Sequence, residues 1–134
     1  MRKHSELFRH IERLQEGRAW GSMLDAGTGP NSIRWVSELK TDSWAAVTCS
    51  AGEADRARDA IDGQQRPQDR IVLGNWANAE LLQGEVFDTV LAGYLLGAIE
   101  GFSPYFQSYL FARLRPVTRG ALYVTGIELS LIHI

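Results

Sequence analysis

Two hydrophobic rhythms take turns along this chain: apolar residues spaced at about 3.6 positions, and short runs that are apolar almost throughout. From Ser5 to Glu16 the residues Leu7, Phe8, Ile11 and Leu14 share one face. Arg9, Glu12, Arg13 and Glu16 lie mostly elsewhere and Gly17 follows, which predicts an amphipathic helix. A short strand is expected over Ser22–Ala26, and then a helix over Asn31–Leu39 that buries Ile33, Val36 and Leu39. Trp44–Thr48 reads as a second strand. Ser50–Ile61 reads as a helix opened by Ser50-Ala-Gly-Glu53, a capping box. The polar stretch Asp62–Gln68, with Gly63 and Pro67, reads as a surface loop. Arg70–Leu73 follows as a third strand, Ala77–Leu82 as a short helix, and Val86–Ala92 as a fourth strand apolar enough to be buried on both faces. Ser103-Pro104 opens a further helix with cap and first-turn proline in place. Phe106, Tyr109, Leu110, Arg113 and Leu114 follow its inner face and flank, and Pro116 ends it. Gly120 turns the chain into a fifth strand over Ala121–Thr125. Strands alternating with helices predict an α/β domain built on a parallel sheet.

Within that pattern one stretch carries chemistry: Ser22-Met-Leu-Asp-Ala-Gly-Thr-Gly-Pro30. A strand ends in an acid, and a glycine-rich turn leads directly into a helix. This is how an α/β sheet holds a nucleotide-like cofactor at the carboxyl edge of its first strand. Asp25 offers acceptors where the strand ends, Gly27 and Gly29 leave bare peptide for a ligand, and Pro30 presets the first helical turn. The plainer role for Asp25 is to cap the helix that begins near Pro30.

Composition changes this picture mainly by exclusion. With 134 residues the chain is one domain, and a net charge of −2 with 22% charged residues gives no basic surface for nucleic acid. No apolar run reaches the roughly 20 residues of a membrane span, and no apolar segment follows Met1-Arg-Lys-His-Ser5 to make a secretory signal. Cys49 is the single cysteine, so no internal disulfide forms, which fits a reducing, cytoplasmic setting. No His/Cys/Asp spacing points to a metal.

Leu24-Asp-Ala-Gly-Thr-Gly29 followed by a helix resembles motif I of the class I S-adenosylmethionine-dependent methyltransferases. Gly84-Glu-Val-Phe-Asp-Thr-Val-Leu-Ala92 is similar to that fold's fourth strand with its Phe-Asp entry. Leu114-Arg-Pro-Val-Thr-Arg-Gly-Ala-Leu-Tyr-Val124 is similar to its passage into the fifth strand, and Arg70-Ile-Val-Leu-Gly-Asn-Trp76 to its third strand end. The resemblance covers roughly residues 5 to 128. It implies a Rossmann-like three-layer sandwich with a mostly parallel sheet in the order 3-2-1-4-5, the family's last two strands being absent. A cofactor-binding domain is thus expected over residues 1–128 with its N-terminal helix at 5–16, and residues 129–134 read as a non-native tail. On this reading Leu122 and Val124 sit on a bare edge strand and the chain is a poorly soluble fragment.

The resemblance further implies S-adenosylmethionine as cofactor and methyl transfer; a small-molecule acceptor, with no nucleic acid or membrane partner, is expected because the chain shows no basic stripe, aromatic nucleic-acid platform or long apolar run. Cofactor contacts fall on Asp25, Ala26, Gly27, Thr28, Gly29, Ser50, Asn75, Trp76, Ala92 and Gly93. The family's acid after the second strand is missing from Val47-Thr-Cys-Ser50. The backbone of Cys49 or Ser50 stands there, or Glu53 reaches back, although Glu53 is more simply the capping partner of Ser50. Asn75 replaces an aspartate after the third strand, and its side-chain oxygen would accept from the adenine amino group. Trp76 reads either as an adenine platform or as core packing. Gly93-Tyr94-Leu95-Leu96 would pass near the reactive methyl, and Tyr94 is the one candidate for a catalytic hydroxyl, against its simpler reading as a packed aromatic. Glu100 and Tyr105 either border a substrate pocket or lie in solvated loop. Trp20 and Trp35 read as structural, Trp44 as a strand start, His4 and His10 as a solvated helix face, and Cys49 as a small buried side chain.

Two other functions compete. A dinucleotide-binding oxidoreductase needs G-x-G-x-x-G, but the stretch here is Gly27-Thr-Gly-Pro-Asn-Ser32, and the carboxylate of Asp25 would repel a pyrophosphate. A degenerate, non-catalytic binding module is the second alternative.

Overall fold

The computed structural model describes residues 6–92, 112–125 and 131–133. The elements run α1 (Glu6–Gln15), β1 (Ser22–Asp25), α2 (Pro30–Glu38), β2 (Ser43–Thr48), α3 (Ala51–Ile61), β3 (Arg70–Leu73), β4 (Phe87–Ala92), a 3-10 turn (Arg115–Val117), β5 (Thr118–Thr125) and β6 (Leu131–His133). The sheet order is β3-β2-β1-β4-β5-β6. The first five strands are parallel, as expected, with Asp25 level with Ala46 on one side and Leu91 on the other.

Parallel strands need a cover on both faces, and side chains alternating along each strand supply two cores. Met23, Trp44, Ala46, Leu91, Ala121 and Tyr123 point to the face covered by α1, α2 and α3. Leu24, Ala45, Val47, Val90, Leu122 and Val124 point to the other, where Trp76, Leu81, Leu82, Leu114 and Val117 pack. Trp35 is sandwiched on the first face. Phe8 stacks on it at 4.6 Å and Trp20 meets it edge-on at 5.7 Å, so Trp20 and Trp35 are structural as expected. The helix starts follow the sequence signals. Pro30 opens α2, and the Ser50 hydroxyl accepts the Glu53 N–H at 3.1 Å to open α3.

The amino edge of the sheet is tightly built. The Asp88 carboxylate accepts the Ser22 N–H at 3.0 Å and pairs with Arg119 at 3.0 Å. Gly21 has φ +63°, and a Cβ there would fall on that carboxylate, so only glycine fits. Asp69 is buried and receives the Trp44 N–H at 3.1 Å, the Arg66 N–H at 2.9 Å and the Arg66 guanidinium at 2.9 and 3.1 Å. Arg66 also reaches the Thr41 carbonyl at 2.9 Å. The loop expected over 62–68 thus ends in a buried ion pair. Arg66 and Asp69 are only three residues apart, but local polarity gave no sign of the pair's burial, because Thr41 and Trp44, which complete it, each lie 25 residues from their partner.

Several expectations change. Residues 77–82 form successive turns, not a helix. The Asn75 and Asn78 side chains accept the Ala77 and Glu80 N–H groups at 2.9 and 3.0 Å, an alternative that competes with helix, and Leu82 has φ +53°. Val86 lies outside β4 and is exposed, while Glu85 beside it pairs with Arg70. Cys49 is exposed, since it sits past the end of β2 where strand alternation stops. The fifth strand begins at Thr118 rather than Ala121, because Thr118 already pairs with Phe87. It is not a bare edge: β6 pairs antiparallel with Tyr123–Thr125, and Leu122 and Val124 are buried. The helix expected from Ser103 lies outside the described residues except for its last turn at 112–114. Among the described residues no helix is long and apolar enough to cross a membrane, and no three metal-ligating side chains cluster.

Candidate functional site

β1 is flanked by β2 and β4, so its carboxyl end opens at the middle of the sheet. There the chain leaves Asp25 and turns through residues 26–29 into α2. Ala26, Thr28 and Gly29 of that turn are each fixed by a neighbour. The Ala26 N–H donates to the Leu91 carbonyl at 2.8 Å, and the Thr28 N–H donates to the Val47 carbonyl at 2.8 Å. The Trp76 indole N–H donates to the Ala26 carbonyl at 2.7 Å. The Gly29 N–H donates to the Ser32 hydroxyl at 3.0 Å. The turn is held by the ends of β2 and β4 and by the chain beyond β3.

Asp25 is the anomaly in this arrangement. It is 0% exposed, and among the described residues neither carboxylate oxygen has a hydrogen-bond partner. Strand alternation puts its side chain on the face of α2, opposite Leu24 and Ala26. Burial pushes its pKa from 3.8 up to about 6; the hydroxyls of Ser32 and Thr28 and the Gly27 N–H draw it back only in part. An orphaned buried carboxylate is costly unless a ligand completes it. Among the described residues no cation stands at that point, and bare backbone lies beside it.

Neither Gly27 nor Gly29 is in the left-handed region; Gly29 is extended at φ −137°, ψ 178°. The sharp turn does not demand them. A Cβ on Gly29 would meet nothing within 4 Å, so what glycine leaves there is open space beside the turn.

The remaining candidates divide. Thr28 is half-buried and Ala26 fully buried, both in the turn next to Asp25. Ala92 is buried at the end of β4 on the same edge. Ser50 is exposed and occupied as the α3 cap. The return half of the expected capping box is replaced, since the Glu53 carboxylate pairs with Arg56 at 2.8 Å. Asn75 is exposed beyond β3, its oxygen already accepting the Ala77 N–H. Trp76 is 3% exposed, within the core cluster and under the Arg113 guanidinium, 5.4 Å from its ring centroid. Its ring packs, and its one polar atom serves the glycine turn. Gly93, Tyr94, Glu100, Tyr105 and His4 lie outside the described residues. Two contributors escaped the sequence reading. Ser32 had a visible signal, a hydroxyl three residues after the helix cap. Arg113, read only as a helix-flank residue, donates to the Asn78 and Leu81 carbonyls at 3.2 and 3.1 Å and had no local signal.

No family model and no curated protein matches the chain. Solved structures do match its fold. The N-methyltransferase NodS from Bradyrhizobium japonicum WM9 superposes with a TM-score of 0.71 at 13% identity, over 89% of this chain and 65% of that one. Coclaurine N-methyltransferase, solved with N-methylheliamine and SAH, gives 0.67 at 19% identity, over 90% of this chain and 35% of that one. The cyclopropane synthase MmaA2 from Mycobacterium tuberculosis gives 0.60 at 22% identity, over 87% and 42%. The chain thus spans less than two thirds of the length of each of these proteins. The fold is that of the class I S-adenosylmethionine-dependent methyltransferases, with the β3-β2-β1-β4-β5 order expected.

Proposed function

We propose that the chain binds S-adenosylmethionine and supports methyl transfer to a small-molecule acceptor. The observation that carries this reading is the buried carboxylate of Asp25 at the carboxyl end of the central strand, beside a glycine turn and without a hydrogen-bond partner among the described residues. The residues fit the cofactor. Its aminoacyl end carries an ammonium, the cation that Asp25 lacks, and the open space at Gly29 admits a ligand against peptide. NodS has been solved with S-adenosyl-L-homocysteine and coclaurine N-methyltransferase with SAH, which supports the same ligand class here.

When bound, the cofactor supplies a methyl group already activated on a sulfonium. The protein's task is then mostly alignment, which is worth up to about 7–11 kcal/mol of barrier. Asp25 binds and neutralises the ammonium. The turn at residues 26–29 fixes the aminoacyl half, its backbone held by Leu91, Val47 and Trp76. Asn75, exposed past β3, keeps its amide donors and a second lone pair for the adenine edge. Tyr94 stays the one candidate for a catalytic hydroxyl, and a small acceptor in a reducing, cytoplasmic setting completes the reading.

Calorimetric titration of the chain with S-adenosylmethionine, S-adenosylhomocysteine and NADH tests it. Micromolar binding of the first two, lost in Asp25→Ala, is expected. Binding of NADH alone would support the oxidoreductase reading, and no ligand at all the partner module.

A further inference from the structure

Trp76 acts at the site from the face of the sheet opposite to Asp25. Its indole N–H holds the Ala26 carbonyl at 2.7 Å on the face of Leu24 and Val90, while the Asp25 side chain lies on the opposite face. In a trans peptide the carbonyl and the following N–H point in opposite directions. Fixing the Ala26 carbonyl toward Trp76 therefore turns the Gly27 N–H toward Asp25. We infer that Trp76 is a positioning residue for the cofactor: by clamping the Ala26 carbonyl it aims the Gly27 amide at the Asp25 carboxylate and holds the glycine turn in its receptive shape.

The clamp is itself braced. Arg113, from the last helical turn before β5, lies over the indole ring and donates to the carbonyls of Asn78 and Leu81. The guanidinium so fixes both the ring and the 76–84 turn that carries it. Among the described residues, the polar groups bearing on Asp25 are the Ser32 and Thr28 hydroxyls and the Gly27 N–H, and no charged side chain bears on it. Of these three, only the Gly27 N–H has its direction set from the far face of the sheet. A purely structural tryptophan would leave the titration of Asp25 untouched, whereas a positioning tryptophan would not.

The inference rests on the functional reading above, and its test separates the two. Trp76→Phe keeps an aromatic ring and removes the donor; replacement by benzothienylalanine, the sulfur isostere of tryptophan, does the same with the ring shape preserved, should the phenylalanine variant not fold. Two quantities are measured: the affinity for S-adenosylhomocysteine, and the Asp25 carboxyl titration followed by carbon NMR in the ligand-free chain. Loss of the clamp is expected to weaken the ligand about tenfold and to move the Asp25 midpoint upward, since the Gly27 N–H is no longer held pointing at the carboxylate. An unchanged midpoint overturns the inference, as does an unchanged affinity in a variant whose parent binds. If the parent chain takes up no S-adenosylhomocysteine, the functional reading falls, and the titration alone then decides whether Trp76 orients the turn.

Discussion

At the amino end of the sheet Asp69 and Asp88 are wrapped in donors, whereas at the carboxyl end Asp25 has no hydrogen-bond partner among the described residues. All three acids sit at strand ends. Asp69 receives two backbone N–H groups and two guanidinium bonds, and Asp88 ties β1, β4 and β5 together through Ser22 and Arg119. Asp25 is the most buried of the three and the least satisfied. A carboxylate completed from within contributes to the fold, and one left open is a place for something from outside. The two edges of one sheet have thus been given different work.

Substitutions at these acids would break or sharpen that contrast. The largest effect is expected at Asp69→Ala, which leaves the buried Trp44 N–H without its acceptor and the Arg66 guanidinium with only Thr41. Breaking a buried pair costs about 3–5 kcal/mol, and with Arg66 39% exposed the loss should fall near about 3 kcal/mol in urea denaturation. Equal stability in the variant would mean that the amino edge does not depend on its acids.

Asp25→Asn should act in the opposite sense. Below pH 3.8 the wild-type carboxyl is protonated whether the chain is folded or unfolded. Between pH 3.8 and about 6 only the folded chain keeps the proton, so stability falls as pH rises, and above about 6 the full penalty stands. The penalty is on the order of 2–3 kcal/mol. The amide carries no such charge, so the variant should be the more stable at pH 7.5, lack that pH slope, and lose S-adenosylmethionine binding. A variant less stable than wild type at pH 7.5 would show that Asp25 serves the fold.

The smallest effect belongs to Ser50, a carboxyl-edge residue that is satisfied from within. Ser50→Ala removes the α3 cap and should cost about 1 kcal/mol. With ligand affinity unchanged, it would place Ser50 among the structural residues of that edge; a clear fall in affinity would return it to the binding site.

The sequence made most of the architecture legible, because the signals were local. Strand-end residues, the Pro30 and Ser50 helix starts and the amphipathic face of α1 were all visible in windows of a few residues. The turns at 77–82 were misread for a local reason too: Asn75 and Asn78 spend their side chains on backbone N–H groups, which a count of apolar spacing does not register. At the site, Asp25 and its glycine turn stood out as a pattern. The roles of Trp76 and Arg113 did not, since a contact spanning 50 residues from Trp76 to Ala26 leaves no trace in either neighbourhood.

The Tyr123 hydroxyl donates to the Gln15 side-chain oxygen at 2.6 Å in a buried setting, linking positions 108 residues apart. Closing so long a loop carries a high entropic cost, which locally formed contacts do not share. On that basis α1 is expected to dock as a clasp after the sheet has formed. Weakening that clasp should therefore hasten unfolding while leaving the rate of refolding nearly untouched. The opening helix of the chain is thus anchored both by α2, through Phe8, and by the fifth strand, through Gln15.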